Sequence, residues 1–275
     1  MILAISYADE RFYKAQKFNS KRALKFGADE IKEYTRKDID ADFYRSNATI
    51  LDAPRGGGYW LWKPYVIHDA LQNLEDGDYL IYTDAGSAFV NKIDYLIEAM
   101  EKAQTDVMAF CIDHLEREYT KRDAFILMDC DEESYYNSLQ ICGGYVVVKK
   151  NEHSSRLISE YLRYAQDERI ITDNPNVMGK ENLSGFRENR HDQTVWSLLC
   201  KKNGIKPFRD PSEYGLDFSI YPQDVIDRSN YPQIIESHRN PNITSVFQLK
   251  YKKWYKFFDI YFYKRTVARL IGYKK

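Results

Sequence analysis

The sequence predicts an α/β fold with a wound, largely parallel sheet, because short strand-like runs alternate with segments of helical periodicity. The first run, residues 2–6, is apolar and leads into a helical pattern. A second run, residues 79–82, is too brief for a helix and lies between Gly77 and Gly86. With 275 residues, 44% of them hydrophobic and 29% charged, the chain can bury a full core in one large domain with an appendage.

The predicted elements follow from periodicity and from turn residues. In chain order they are strand 2–6, helix 11–26, strand 30–34, helix 65–73, strand 79–82, helix 93–103, strand 107–112, a strand within 142–149, helix 154–167 and helix 191–203. Pro64 favours a helix start, since the first turn tolerates its missing N–H. Residues 116–138 are strongly charged and predict a mobile surface region. Residues 172–190, rich in Asn and Gly, predict a loop or lid.

Charge is unevenly distributed along the chain. Forty basic and 41 acidic residues give a net charge of −1, so no nucleic-acid partner is predicted for the chain as a whole. Residues 250–275 hold nine Lys or Arg and one Asp, a net +8 that leaves −9 for residues 1–249. Aromatic residues between these charges favour a helix lying in a membrane interface beside anionic lipid. A helix packed on the protein body and a nucleic-acid-binding segment are the alternatives.

Two further patterns bear on location. No window reaches the roughly 20 apolar residues that span a bilayer, and the chain begins with strand-like residues and no basic leader. We therefore predict a cytoplasmic protein whose membrane contact is peripheral. Four scattered cysteines without a Cys-x-x-Cys pair predict neither a disulfide framework nor a zinc site.

The strongest functional signal follows strand 79–82, where Thr83, Asp84 and Ala85 lead into Gly86. Ligands of α/β sheets bind at the carboxyl ends of strands, so Asp84 lies where a nucleotide, a phosphate or a metal would be held. Gly86 would let that ligand approach the backbone. An ordinary turn is the alternative, because Asp and Gly are common turn residues.

A glycine-rich segment lies about twenty residues upstream. Arg55 and Lys63 flank a run that contains three glycines and two tryptophans. Glycine loses more conformational entropy on folding than other residues, so three in succession are costly in a purely structural loop. The segment therefore predicts a loop that closes on a flat or anionic ligand.

Two polar groups near predicted element ends complete the candidate chemistry. His191, Asp192 and Gln193 begin a helix, and Asp192 could take a proton from an attacking hydroxyl. Helix capping is the alternative role for Asp192. His238 follows an apolar run and, opposite Asp84, would suit Mn²⁺ or Mg²⁺ bridging a diphosphate. A structural histidine is the alternative there.

In this order the motifs resemble those of bacterial GT-A glycosyltransferases that build polysaccharide, lipopolysaccharide or O-antigen. The resemblance covers roughly residues 1–245 and includes the Tyr-Trp-x-Trp-Lys-Pro segment, the Asp-centred motif, the Gly-Gly strand and the His-Asp-Gln helix. It implies a Rossmann-like wound mixed sheet with helices on both faces, plus a basic aromatic C-terminal helix. The implied divisions are a catalytic domain at 1–248, with a nucleotide-sugar-binding half at about 1–112 and an acceptor-binding half at about 140–248, and a tail at 249–275.

The resemblance also implies roles for residues. Asp192, as general base, and Gln193 would be catalytic, and His191 would bind the acceptor. Implied donor-binding residues are Ser6, Tyr7, Arg55, Lys63, Thr83, Asp84, Ala85, Gly86, Gly143 and Gly144. Asp84 and His238 would bind a divalent cation, Mn²⁺ or Mg²⁺.

One position departs from the family pattern. Gly86 stands where the family has a second Asp, so the diphosphate and water would have to supply the remaining metal ligands. Alternatively, Lys63 and Arg55 neutralise the departing diphosphate, whose charge must be stabilised in the transition state. The sequence leaves both arrangements open.

The implied activity is transfer of a hexose, with UDP as the expected nucleotide, to a hydroxyl of a bacterial cell-surface glycan or its lipid-linked precursor. The implied partners are these substrates and an anionic membrane surface on the inner face of the cell membrane, bound by residues 250–275. Two alternatives stay open. One is a sugar nucleotidyltransferase, although that class carries a Gly-rich loop after strand one and this chain does not. The other is a non-catalytic, membrane-associated sugar-binding protein.

Overall fold

A computed structural model of the chain describes residues 1–249, and the predicted helix at 250–275 lies outside them. The strands of the described part are β1 (Ile2–Tyr7), β2 (Glu30–Tyr34), β3 (Tyr79–Thr83), β4 (Ser87–Phe89), β5 (Val107–Leu115), β6 (Leu139–Ile141), β7 (Tyr145–Lys149), β8 (Pro207–Arg209) and β9 (Ile235–Ser237). Its helices are α1 (Tyr13–Lys25), α2 (Ala41–Ser46), α3 (Ala48–Leu51), α4 (Gly56–Tyr59), α5 (Trp62–Gln72), α6 (Asp94–Lys102), α7 (Glu116–Tyr119), α8 (Arg122–Leu127), α9 (Glu133–Tyr136), α10 (Glu152–Ala165), α11 (Glu168–Ile171), α12 (Asp192–Lys202) and α13 (Gln223–Arg228). None of these helices is long and apolar enough to cross a membrane.

The central sheet is mixed, which confirms the predicted α/β class. Its strand order is β2-β1-β3-β7-β5-β6, with β8 also paired to β5. β1 runs parallel to β2 and β3, and β8 runs parallel to β5. β7 lies between β3 and β5 and is antiparallel to both.

Helices cover both faces of this sheet, as predicted. Side chains along a strand alternate between faces, so Leu80 and Tyr82 pack in one core with α5, α10 and α12. Ile81 points the other way and packs in a second core with α1 and α6. Two apolar layers therefore hold the sheet between them.

The predicted elements lie within about three residues of their observed bounds. The largest difference at a helix start is at α5, which begins at Trp62, so Pro64 lies inside the first turn where its missing N–H is still tolerated. Residues 172–190 are free of strands and helices after the short α11, which ends at Ile171, as the loop prediction requires.

The prediction of a mobile surface region at 116–138 is wrong. This segment forms three short helices, and Ala124, Phe125 and Met128 are fully buried in the core. Glu116 is also buried, and Lys201 Nζ lies 2.6 Å from its carboxylate. Charged residues are frequent in the segment, but several of its apolar side chains pack in the main core, and this burial decides its placement.

A separate two-stranded sheet follows the Asp84 motif. β4 follows Gly86 and pairs antiparallel with β9, and the Gly86 carbonyl accepts the N–H of Arg239 at 2.8 Å. Leu249, the last described residue, is buried in a cluster with Phe18 and Ala88. The described chain therefore ends beside β4, the strand that follows the Asp84 motif.

Candidate functional site

A buried lysine joins three of the predicted motifs. The Lys63 side chain is 4% exposed, and its Nζ lies 2.7 Å from Asp192 Oδ2 and 3.4 Å from Asp84 Oδ1. The same ammonium donates to the Gly143 carbonyl at 3.0 Å. Three acceptors match the three N–H donors of an ammonium group. One cation therefore holds together α5, the end of β3, the start of β7 and the start of α12.

The cluster lies at the edge of the sheet where ligands of α/β folds bind. Thr83, the last residue of β3, pairs with Tyr145, the first residue of β7. The N–H of Asp84 donates to the Gly144 carbonyl at 3.0 Å. The sequence prediction that Asp84 follows the carboxyl end of a central strand is confirmed.

The two carboxylates differ in environment. The Asp192 side chain is 5% exposed and the Asp84 side chain is 45% exposed. Burial raises the pKa of Asp192 to about 6, against the opposing effect of the Lys63 ammonium. Burial also lowers the pKa of Lys63, but the two carboxylates outweigh it and the pKa is raised. Lys63 is thus an ammonium at neutral pH, and Asp84 is the accessible acid of the cluster.

Gly143 and Gly144 lie between the two carboxylates. A Cβ at Gly143 would lie 2.9 Å from Gln193 Cβ and 3.1 Å from Asp192 Oδ2, and one at Gly144 would lie 3.3 Å from Asp84 Oδ2. Distances below about 3 Å force neighbouring atoms to move. Packing within the protein therefore explains why glycine occupies both positions, since larger residues could not pass between Asp84 and Asp192. Donor binding by these glycines stays a prediction.

Gln193, predicted to be catalytic, has a hydrogen-bond partner within the protein at each polar atom of its amide. Its Oε1 accepts the N–H of Gly143 at 3.0 Å, and its Nε2 donates to Gln140 Oε1 at 2.7 Å. These contacts fix the Gly-Gly segment against α12. They are those of a positioning residue, and direct participation of Gln193 in chemistry stays a prediction.

His191, predicted to bind the acceptor, is 2% exposed and has partners at both ring nitrogens. Its Nδ1 donates to the Ile171 carbonyl at 2.8 Å, and its Nε2 accepts from Arg55 Nε at 2.9 Å. Burial lowers its pKa, which agrees with a neutral ring that can accept this bond. The ring also stacks on Trp60, with centroids 5.3 Å apart. His191 therefore orients Arg55, and an acceptor would reach its ring nitrogens only by displacing a present partner.

Arg55 connects the glycine-rich segment to the loop at 172–190. Its side chain is 46% exposed, and its guanidinium lies 3.2 Å from Asp173 and 3.1 Å from Glu188. The structure separates the two predicted cations of the leaving-group site. Lys63 is buried at Asp192, whereas Arg55 lies at the half-exposed loop beside His191.

The glycine-rich run itself forms a compact turn. Residues 56–58 have φ values of 60°, 60° and 105°, in the left-handed region that favours glycine. A Cβ at Gly58 would lie 2.7 Å from Leu51 Cα. Backbone conformation and close packing therefore explain the three glycines, which the sequence alone did not reveal. The run leads directly into α5, which carries Lys63. Closure of the run on a ligand stays a prediction.

The remaining donor-binding predictions fall on packed positions. Ser6 and Thr83 are buried, and Thr83 Oγ1 accepts from Asn19 Nδ2 at 2.7 Å. Tyr7 stacks on Trp62 with ring centroids 3.9 Å apart. These residues lie at the carboxyl ends of β1 and β3.

Ala85 and Gly86 connect Asp84 to β4. Ala85 is 5% exposed, and a Cβ at Gly86 would lie 3.4 Å from Arg239 Cα, an ordinary contact. The structure places the backbone of Arg239 where close approach of a ligand to Gly86 was predicted. The close neighbour of Gly86 is thus part of this chain.

The predicted cation ligands differ in accessibility. Asp84 Oδ1 accepts the Tyr82 hydroxyl at 2.6 Å and faces Lys63, while the carboxylate as a whole is half-exposed. His238 is 2% exposed, and its Nδ1 accepts the N–H of Asn240 at 3.0 Å. Between residues 1 and 249, no three His, Cys, Asp or Glu side chains are grouped to hold a metal ion. Asp84 could hold a cation together with diphosphate oxygens and water, and the role of His238 as a second ligand stays a prediction.

Two tyrosines of the site were not predicted. Tyr82 donates to Asp84 Oδ1 at 2.6 Å, and Tyr161 OH lies 3.4 Å from Asp192 Oδ2. Strand periodicity could have found Tyr82, since residues two apart share a face. Tyr161 reaches the site only because α10 packs on α12, and the sequence holds no local signal of that contact.

Comparison with known proteins gives similarity in structure alone. No protein-family model matches the sequence, and no curated protein matches it. The apo structure of mouse xyloside xylosyltransferase 1 is similar over 86% of this chain and 96% of its own, with 12% identity and a TM-score of 0.45. The apo structure of the bifunctional glycosyltransferase WbbM is similar over 86% of this chain and 45% of its own, with 10% identity and a TM-score of 0.45.

Proposed function

We propose that this protein is a glycosyltransferase that moves a hexose from a nucleoside diphosphate sugar, with UDP as the nucleotide, to a hydroxyl of a glycan. The observation that carries the proposal is the Lys63 ammonium, which holds Asp84 and Asp192 together at the carboxyl end of β3. A half-exposed carboxylate beside a buried, pKa-shifted one is the arrangement expected of a functional site. The motif resemblance of the sequence supplies the reaction class.

The residues divide the proposed reaction between them. Asp192, whose pKa is raised to about 6, would accept the proton of the attacking hydroxyl, because a base is most effective when its pKa is near the working pH. The hydroxyl oxygen forms the new bond to the anomeric carbon, and the diphosphate leaves with the electrons of the old one. Without a bound cation, Lys63 and Arg55 are the candidates for the positive charge that the departing diphosphate requires. Asp84 would bind a divalent cation, Mn²⁺ or Mg²⁺, which stabilises the same charge when it is bound.

Binding of the donor nucleotide tests this proposal first. We expect a nucleoside diphosphate, UDP before others, to raise the unfolding free energy by about 2.7 kcal/mol at a hundred times its Kd. The shift should be larger with Mn²⁺ than with EDTA in the wild type, and Asp84→Asn should lose that difference. Thermal unfolding with each nucleotide and metal measures both effects.

Asp224→Asn is the matched control, because Asp224 pairs with Arg228 on the surface and is 65% exposed. It should respond to UDP and Mn²⁺ as the wild type does. If no nucleotide stabilises the wild-type protein, the transferase proposal is wrong. A shift that EDTA leaves unchanged would move the stabilisation of the leaving group to Lys63 and Arg55.

The pH dependence of turnover should report Asp192. Below a pH of about 6 the carboxyl is protonated, so it can neither accept a proton nor pair with Lys63, and kcat/KM should fall about tenfold per pH unit. Release of nucleoside diphosphate, measured between about pH 4.5 and 8, gives the profile. Asp192→Asn should retain a low activity without this acid limb. An unchanged limb in that variant would assign the titration to another group.

We also propose that the acceptor is a bacterial cell-surface glycan or its lipid-linked precursor, met at the inner face of the cell membrane. The basic, aromatic composition of residues 250–275 supports the membrane part of this proposal. In the same proposal, residues 1–112 hold the donor and residues 140–248 the acceptor.

Removal of residues 250–275 should abolish binding to vesicles that contain anionic lipid, since each Lys or Arg near such a surface contributes about 1 kcal/mol. Vesicle sedimentation measures binding, with neutral phosphatidylcholine vesicles and raised salt as controls. The truncated protein should keep its response to nucleotide. Equal sedimentation of the full and truncated proteins would contradict the membrane role.

A further inference from the structure

A polar cavity lies against the loop at 172–190. Its volume is about 280 Å³, and residues of the loop at 172–190 form most of its wall, with Arg55 and Lys121 completing it. Ligand sites for drug-sized molecules have volumes of about 300–1,000 Å³, so this cavity suits one small ring. Apart from Arg55, the residues of this cavity have no part in the reaction proposed above.

The wall of the cavity is held by buried polar contacts. The buried carboxylate of Asp123 accepts the N–H of Val177 at 2.7 Å and of Met178 at 3.1 Å. The buried ammonium of Lys121 donates to the Asn174 carbonyl at 2.6 Å. Asn189, also buried, donates to the Ile170 carbonyl at 3.0 Å. A loop tied in this way presents its side chains in a fixed arrangement, which lowers the entropy cost of binding.

The cavity lining identifies the class of ligand. Its charged residues nearly balance, with Arg55, Lys121 and Arg187 against Asp173 and Glu188, so a strongly charged ligand is not favoured. The lining also contains side-chain amides of asparagine and one aromatic ring, that of Phe186. The amides of Asn176, Asn182 and Asn189 bond within the protein. The amide of Asn174 and the paired charges therefore offer donors and acceptors to adjacent hydroxyls, and the ring offers an apolar face. A neutral pyranose has both kinds of surface.

We propose that this cavity binds a non-reacting sugar unit of the acceptor glycan. Arg55 provides the connection, because it lines the cavity and donates at 2.9 Å to His191, the residue before Asp192. The inference rests on the proposed function and extends it to the acceptor.

Two variants alter the cavity without breaking the contacts that hold its wall. Phe186→Ala removes the apolar face, and Asn174→Ala removes an amide while keeping the backbone carbonyl that binds Lys121. Val177→Ala is the matched control, because this side chain belongs to the same loop but is 66% exposed and does not line the cavity. The probes are the methyl glycosides of glucose, galactose, mannose and N-acetylglucosamine.

Saturation-transfer NMR on the full chain, with UDP present, measures binding of these glycosides. We expect at least one to bind wild type and Val177→Ala equally, and Phe186→Ala about tenfold more weakly, the loss expected for about 1.4 kcal/mol of ring contact. Asn174→Ala should also bind it more weakly. If no glycoside binds, or if all four proteins bind it equally, the cavity is not a sugar site. Thermal shifts with UDP on the same samples test the donor site separately, so either idea can fail alone.

Discussion

Asp192→Asn is expected to lose at least a hundredfold in turnover and about 3–5 kcal/mol in the free energy of unfolding. The stability loss follows from burial, because the substitution leaves the 4% exposed Lys63 ammonium without its closest carboxylate, 2.7 Å away. The loss of turnover follows from removal of the proposed base. Chemical denaturation and release of nucleoside diphosphate measure the two effects.

Two controls separate these effects for Asp192. Asp224→Asn breaks a surface pair that is 65% exposed on its acidic side, and should cost about 0–1 kcal/mol. The double variant Lys63→Met with Asp192→Leu removes both buried charges, and should recover much of the stability while remaining inactive. A stable Asp192→Asn protein would show that Lys63 is satisfied by Asp84 and Gly143. A fully active one would remove Asp192 from the mechanism.

Gly143→Ala should have the second largest effect. Its new methyl group would lie 2.9 Å from Gln193 Cβ and 3.1 Å from Asp192 Oδ2, both on the first turn of α12. Overpacking of this kind costs about 1–3 kcal/mol, and here it displaces the carboxylate of Asp192. We expect a lower melting temperature together with a loss of turnover of about a hundredfold.

Gly86→Ala is the comparison for Gly143→Ala, because its Cβ would meet Arg239 Cα at an ordinary 3.4 Å. Both glycines have φ outside the left-handed region, so backbone strain does not distinguish them. Gly86→Ala should change stability by less than about 1 kcal/mol. Equal losses in the two variants would mean that steric contact with α12 is not the cause.

Among residues 1–249, the sequence predicted every helix of nine or more residues and every strand of five or more, because their signals are local, and it did not predict the shorter elements. Strand β3 is recognisable from a short strand-forming run between Gly77 and Gly86, and helix α5 from Pro64 near its start. The prediction for the segment at 116–138 was wrong because its many charged residues suggested a surface region, whereas Phe125 within it is fully buried. Local composition does not record which face of a short helix meets the core.

The candidate site was predictable in its members but not in their contacts. Asp84, Lys63 and Asp192 were each singled out from motifs, yet the ion pair between the last two depends on the packing of α5 and α12, both of which contact α10. The glycines were interpreted as space for a ligand, whereas Gly58 and Gly143 make space for Leu51 and Gln193. The sequence shows that these positions lack side chains, and only the fold shows which neighbouring residues take up the space.

The burial of Leu249 has a consequence for how the protein would meet its substrates. Leu249 is fixed in a cluster with Ala88, which belongs to the strand that follows the Asp84 motif. In the proposed membrane role of residues 250–275, that segment therefore follows a buried residue packed against the strand after the Asp84 motif. A membrane contact made through it would raise the effective concentration, at the site, of acceptors that lie in the same surface.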